Sequence, residues 1–242
     1  MRILAVLILL VLPHWAFACV LRVHVNDFPP YSYKVDDQWQ GSRVVLSKRL
    51  ASKLNCDVEF LELTWARALA MMQSGELDLM FNLTVTEERR QFIWYTLPHH
   101  HERLVFATTL SDWQHTNAIS SLAQFPGIIA VTQGSFMGQQ FMSMLQNRSF
   151  LRRVVAVSQR KAKNELVLKD RAQGLVEDYD FLKFAIANYP AYDNIQITPL
   201  VLSEQDVSAG VSMKSPLFAR KVDIELAICQ LEQQGLWFSS QP

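Results

Sequence analysis

Apolar and polar residues alternate along Val20-Leu21-Arg22-Val23-His24-Val25, and again along Asp57-Val58-Glu59-Phe60-Leu61-Glu62-Leu63. A period of two marks a half-buried strand. Between them, residues 44–54 carry apolar side chains at helical spacing, with Lys48, Arg49 and Lys53 on the wet side. Strand, helix, strand in that order predicts a βαβ unit whose strands are parallel and adjacent. Thr64 then caps a helix that stops at Gly75, and residues 77–81 form a short apolar strand. Thr86 reads as the N-cap of the next helix, with Glu87 and Glu88 at the positive end of its dipole. Residues 92–95 and Pro98 close this first α/β region.

Residues 103–108 form a strand that leaves the first region, and a second α/β region begins near Ser111. Its pattern predicts strands at 128–131, 151–157 and 175–176, and helices at 139–145, 159–172 and 181–188. Residues 195–202 are extended, 207–213 form a strand that returns to the first region, and 216–234 form a terminal helix capped at Gly235. No Gly/Ser linker separates the regions. Two extended connections, at 103–108 and 207–213, fit a two-stranded hinge. The expected division is one lobe of 19–103 plus 207–242 and a second of 104–206.

Length and composition agree with that division. The 242 residues are half hydrophobic, enough for two small cores. Formal net charge is zero and the pI is about 7.0, which gives no footprint for nucleic acid or an anionic membrane. Residues 1–18 read as a cleaved export signal: Arg2, an apolar core, then Ala16-Phe17-Ala18. The apolar core is too short to span a bilayer. A mature chain beginning at Cys19 is expected to be exported to an oxidising compartment. A lipidated Cys19 is the alternative, but it calls for Leu or a similar residue at position 16, where Ala16 stands.

The export reading gives the three cysteines an oxidising address. Cys19 and Cys56 open the two parallel strands at the same end, roughly 5 Å apart if the strands are neighbours. A Cys19–Cys56 disulfide is expected. Cys229 falls on the apolar side of the terminal helix and reads as a buried free thiol.

Candidate chemistry clusters at strand ends, where open α/β sheets bind ligands. The stretch Asn82-Leu83-Thr84-Val85-Thr86-Glu87-Glu88-Arg89 puts a cation where the helix dipole disfavours one. A fixed guanidinium beside hydroxyls and free backbone N–H groups suits a carboxylate. Phe28, Pro29, Pro30 and Tyr31 follow the first strand, Trp65 opens the helix after the second, and Ser135 lies in a glycine-bearing turn that suits an anion. Glu177, Asp178 and Asp180 end a buried strand, as a solvated turn or as an acceptor for an ammonium group. His99-His100-His101 invites a metal reading, but neighbours in an extended chain point in alternate directions and no further ligand is supplied. No nucleophile–base pair, metal constellation or cofactor motif is seen.

In order and spacing, Asn26–Tyr33 with its Pro-Pro-Tyr, Gly75-Glu76-Leu77-Asp78, Thr84-x-Thr86-x-x-Arg89, the segment 95–98, the turn 131–140 and the segment 174–178 resemble the solute-binding proteins of polar amino acid ABC transporters, bacterial extracellular solute-binding family 3. The resemblance covers about residues 19–237. It implies a bilobed periplasmic binding protein of type II, a monomer, that captures a small ligand, most simply an amino acid, and delivers it to an ABC transporter permease. By the same resemblance Arg89 grips the ligand α-carboxylate with Thr84 and the Ser135 region, and the backbone at Asn82 takes part of the amino group. Asp178 faces the ammonium, with Glu177 as the register alternative, and Phe28, Tyr31 and Trp65 wall the side-chain pocket. The chain departs from the family pattern at Glu87, at His99, and around Gly174, where Gln173 and Leu175 stand. Two other readings remain at this level: a dehydratase-like enzyme acting on a cyclic carboxylic acid, and a sensory binding module.

Overall fold

Strands β1 (Cys19–Val25) and β4 (Cys56–Glu62) pair in parallel with Cys19 opposite Cys56, and α1 (Ser42–Leu54) crosses between them. The structure, a computed structural model, describes residues 19–238. The expected export signal lies outside the described residues. A small hairpin of β2 (Tyr33–Val35) and β3 (Gln38–Gln40) precedes α1, and Asp36 and Asp37 at its tip take φ of 49° and 59°. Gly41, with φ 110°, starts α1 where a Cβ would collide with the carbonyls of Pro30 and Tyr31. That close approach fixes the helix start, and with it the position of Arg43. Cys19 and Cys56 form a disulfide with Cα atoms 4.5 Å apart.

Helix α2 (Trp65–Ser74) is capped by Thr64 Oγ1, which accepts from the Arg67 N–H, and closed by Gly75 in the left-handed region. Strand β5 (Leu79–Leu83) is fully buried. It starts two residues later than its apolar pattern predicts. The Leu77 N–H still bonds back to the Met71 carbonyl, finishing the wrap of α2, and Asp78 is tied to Arg22 through its backbone N–H and its carboxylate. Helix α3 (Glu87–Arg90) follows, with Thr86 as its N-cap.

The largest departure from the sequence pattern lies in β6 (Ile93–Thr108) and β10 (Gln196–Ser212), strands of 16 and 17 residues where shorter, separate ones are expected. Pro98 and the polar stretch 203–206 read as breaks. The two strands instead pair antiparallel from Thr108–Gln196 to Ile93–Ser212 and absorb the irregularities as register shifts, one of them beside Pro98 and Ser208. Residues 208–211 of β10 pair with β5, and 104–108 of β6 pair with the second half of the sheet. The ribbon thus belongs to both halves.

That second half holds β7 (Ile129–Thr132), α4 (Gln139–Met144), α5 (Arg148–Leu151), β8 (Val154–Val157), α6 (Arg160–Leu168), β9 (Gly174–Asp178) and α7 (Tyr179–Asn188). The sheet order is β4-β1-β5-β10-β6-β9-β7-β8. Leu151 ends α5 rather than opening a strand, because the Asn147 side chain accepts from the Ser149 and Phe150 N–H groups and starts a helical turn. Residues 216–220 form a 3-10 turn before the terminal helix α8 (Lys221–Gln233). Cys229 is exposed, not buried. The buried stripe of α8 is Ile224, Ala227, Ile228 and Leu231, and Cys229 lies one step, or 100°, beyond it.

Each half has its own core. Leu21, Leu50, Phe81, Ile228 and Trp237 pack in the first, and Phe106, Phe125, Val131 and Phe141 in the second. A further cluster joins them: Phe28 and Tyr31 pack with Phe181 and Tyr192.

Candidate functional site

The two halves enclose a cavity of about 620 Å³, within the range of small-molecule sites. Its walls come from residues just past the carboxyl ends of parallel strands: Phe28 after β1, Trp65 after β4, Thr84 after β5, Ser135 after β7, and Asp178 at the end of β9. Asn82 and Arg89 also line it. Tyr31 does not. It sits behind the wall, 2 % exposed, with its hydroxyl 3.2 Å from Asp178 Oδ1 and 2.9 Å from His100 Nε2.

Arg89 is 7 % exposed. Its Nη1 donates to the Thr84 carbonyl at 3.1 Å and its Nη2 to the Gly134 carbonyl at 3.0 Å, so it reaches across the cavity. The Trp65 indole N–H donates to the same Gly134 carbonyl at 3.2 Å. Burial lowers the pKa of Arg89, but two carbonyls and the nearby Tyr95 and Glu88 keep a cation in place. Thr84 Oγ1 accepts from Gln205 Nε2 at 2.6 Å. Asn82 has φ 53°, and its backbone N–H donates to His99 Nε2 at 3.1 Å. Burial holds His99 neutral and well below the usual imidazole range, as an acceptor at Nε2 requires.

Glu177 and Asp178 both line the cavity, yet their carboxylates are committed differently. Glu177 is paired with Arg160 and, at 2.8 Å, with Lys163, and it accepts from the Asp178 N–H. Burial opposes its charge, but the two cations overcome it and hold the carboxyl below the usual range. Asp178 caps α7: Oδ1 accepts from the Phe181 N–H at 2.8 Å. Its Oδ2 is buried with no hydrogen-bond partner. Burial pushes the Asp178 carboxyl up to about 7. Glu177 Oε2 also lacks a well-directed hydrogen bond, but it lies 2.8 Å from the Lys163 ammonium, so of the two carboxylates Asp178 alone has an oxygen with neither a hydrogen bond nor a cation.

Among the charged wall residues that sequence reasoning missed are Arg43, Glu102, Arg160 and Lys163. Arg43 carried the signal that singles out Arg89, a cation in the first turn of a helix. Glu102 lies on the β6 ribbon and gave no signal. It is half-buried by exposure, yet protein surrounds it, and removal from bulk water pushes its carboxyl up to about 8. Arg160 lies 3.2 Å above the Phe28 ring. The three consecutive histidines go to different partners. His99 takes the Asn82 N–H, His100 meets Tyr31, and exposed His101 lies between Asp206 and Glu204. Among the described residues, no three His, Cys, Asp or Glu side chains are grouped to hold a metal ion.

Residues 21–229 match the profile of the bacterial extracellular solute-binding proteins, family 3. Solved structures share the fold. An amino acid ABC transporter substrate-binding protein from Streptococcus pneumoniae, bound to L-arginine, is 22% identical with a TM-score of 0.75, over 90% of this chain and 91% of that one. An ancestral arginine-binding protein bound to glutamine is 20% identical with a TM-score of 0.75, over 90% and 94%. A histidine kinase sensor domain with similarity to periplasmic binding proteins is 16% identical with a TM-score of 0.75, over 91% and 92%. At these identities the likeness establishes the fold and nothing finer. A sequence comparison with curated proteins finds no match.

Proposed function

The chain belongs to the bacterial extracellular solute-binding proteins, family 3, and from that premise we propose that it captures an amino acid between its two lobes in the periplasm and delivers it to the permease of an ABC transporter. The lobes are taken as 19–103 with 207–242, and 104–206, turning about the β6–β10 ribbon. One observation carries the reading. Arg89, and Asp178 with its unpartnered Oδ2, line one cavity from opposite halves. A carboxylate on Arg89 and an ammonium on Asp178 together describe an α-amino acid. The Asn82 N–H is taken by His99, so at that position the ligand ammonium meets a carbonyl. Thr84 and Ser135 support the α-carboxylate, and Phe28 and Trp65 border the ligand side chain.

The work is binding, not bond chemistry. A ligand that touches both halves favours the closed form by its differential contacts, and the closed form presents a joint surface to the permease. A sensory role would use the same closure, and the fold is shared with a kinase sensor domain. The reading is tested by a thermal-shift screen of the exported chain against amino acids, small peptides and cyclic carboxylates. At a hundred times its dissociation constant a ligand adds about 2.7 kcal/mol, a rise in Tm of about 5–10 °C. Arg89→Ala should abolish that shift and leave the circular dichroism spectrum unchanged. A variant that binds as tightly as the parent would refute the carboxylate clamp, and consumption of the ligand would move the reading to an enzyme.

A further inference from the structure

Arg43 is the buried cation of the cleft that an α-amino and an α-carboxyl group leave unanswered; Lys161, which also lines the cavity, is exposed to solvent. It stands in the first turn of α1, at the positive end of the helix dipole, and no acidic residue shares that turn. It is 3 % exposed. Its Nε donates to Asn82 Oδ1 at 3.0 Å, and its guanidinium carbon lies 4.6 Å from the Phe28 ring centroid and 5.1 Å from that of Tyr31. The rings hold the guanidinium in place without cancelling its charge. Among the described residues no carboxylate comes within the 4.0 Å of an ion pair. Its neighbours differ in this respect: Arg160 and Lys163 share Glu177, and Lys34 has Glu62. A buried cation without a counter-ion is costly, so a built site that keeps one has an anion to receive.

The Asn82 side chain adds an independent observation. Arg43 Nε–H can only donate, so the amide atom facing it is the oxygen, and the NH₂ end points elsewhere. That Asn82 Nδ2 is buried with no partner, on a residue 5 % exposed that lines the cavity. An unpaired buried donor also asks for an acceptor. Glu102 lines the same cavity. With its carboxyl pushed up to about 8, it is protonated at neutral pH and offers a third donor.

We propose that Arg43 and the Asn82 amide form a second anion subsite in the cleft, and that the ligand is an acidic α-amino acid. Its side-chain carboxylate lies on Arg43 and Asn82 while its α-carboxylate lies on Arg89. The proposal rests on the amino-acid reading given above. A basic amino acid would bring its side-chain cation to a wall where Arg43 already lacks a counter-ion. A neutral amide would leave the guanidinium without an ion-pair partner, with only the more distant Glu102 and Asp178 acting on its charge.

Isothermal titration of the exported chain with L-glutamate, L-aspartate, L-glutamine, L-asparagine and L-arginine tests it. One acid should bind about tenfold or more tightly than its own amide and than arginine. Arg43→Gln should remove about tenfold of the acid's affinity and change the amide's by less than about threefold, and Arg43→Lys should recover part of the preference. Thermal unfolding of each variant separates lost binding from lost folding. An amide or arginine that binds as tightly as the acids, or a preference unchanged in Arg43→Gln, would overturn the subsite and leave the amino-acid reading standing. No binding by any amino acid would overturn both.

Discussion

Arg43 and Arg89 are the same kind of residue in the same kind of place: cations in the first turn of a helix, buried at 3 % and 7 % exposure. Helix electrostatics explains neither, and in both cases the side chain turns into the cavity. Glu102 shows the opposite economy, an acid whose charge the site suppresses. Its ordinary pKa is 4.5 and the folded value is about 8, so between those limits the folded state holds a proton that the unfolded chain has released. The resulting contribution is fully present below about 4.5 and is lost as pH rises through about 8. Glu102→Gln removes this loss. Without ligand, the variant should match the parent near pH 4.5 and exceed it by about 2 kcal/mol above pH 8, a figure reduced for the water in the cleft. Urea denaturation across that range checks it, and a constant difference would show that Glu102 keeps an ordinary carboxyl.

At the scale of elements, boundaries followed sequence wherever local chemistry set them. Thr64 and Thr86 cap their helices through their hydroxyls, and Gly75 closes α2, as their types predict. Where a distant partner set the boundary, the pattern failed. Asp78 delays β5 because Arg22 holds it, and β6 and β10 ignore their apparent breaks because each strand supplies the other's hydrogen bonds. Cys229 missed burial by one helical step. The disulfide was legible because parallel register puts Cys19 opposite Cys56. It closes a loop with a sequence separation of 37, for which the chain-entropy estimate is about 4 kcal/mol. Reductant should therefore lower the unfolding free energy from urea denaturation by an amount near that value, with most of the effect reproduced in Cys19→Ser. A free energy unmoved by reductant would mean that the bond is not formed in the folded protein.

For the molecule as a whole, aromatic contacts join the two halves. Phe28 lies 5.6 Å from Phe181, ring to ring, and the Tyr31 hydroxyl reaches Asp178. On the closure proposed above, opening would expose these rings and break that hydrogen bond. Tyr31→Phe keeps the ring and deletes the hydroxyl. It should shift the balance toward the open form by about 1 kcal/mol and weaken ligand binding about fivefold. Titration calorimetry reads the affinity and small-angle scattering the compactness, and an unchanged affinity would mean that the hydroxyl is neutral to closure. The sequence by itself determined the α/β alternation, the helix caps, the disulfide and some of the residues that line the cavity. Each of these depends on side-chain period, capping chemistry or position at a strand end, and all three are local. Only the tertiary structure decided that Glu177 is spent on Arg160 and Lys163 while Asp178 keeps a free oxygen, that Tyr31 stands behind the wall, and that Arg43 and Glu102 face the cavity. Those outcomes depend on tertiary packing that the side-chain pattern does not show: Tyr31 meets Asp178 from 147 positions away, and Arg160 and Lys163 reach Glu177 only because α6 packs on β9.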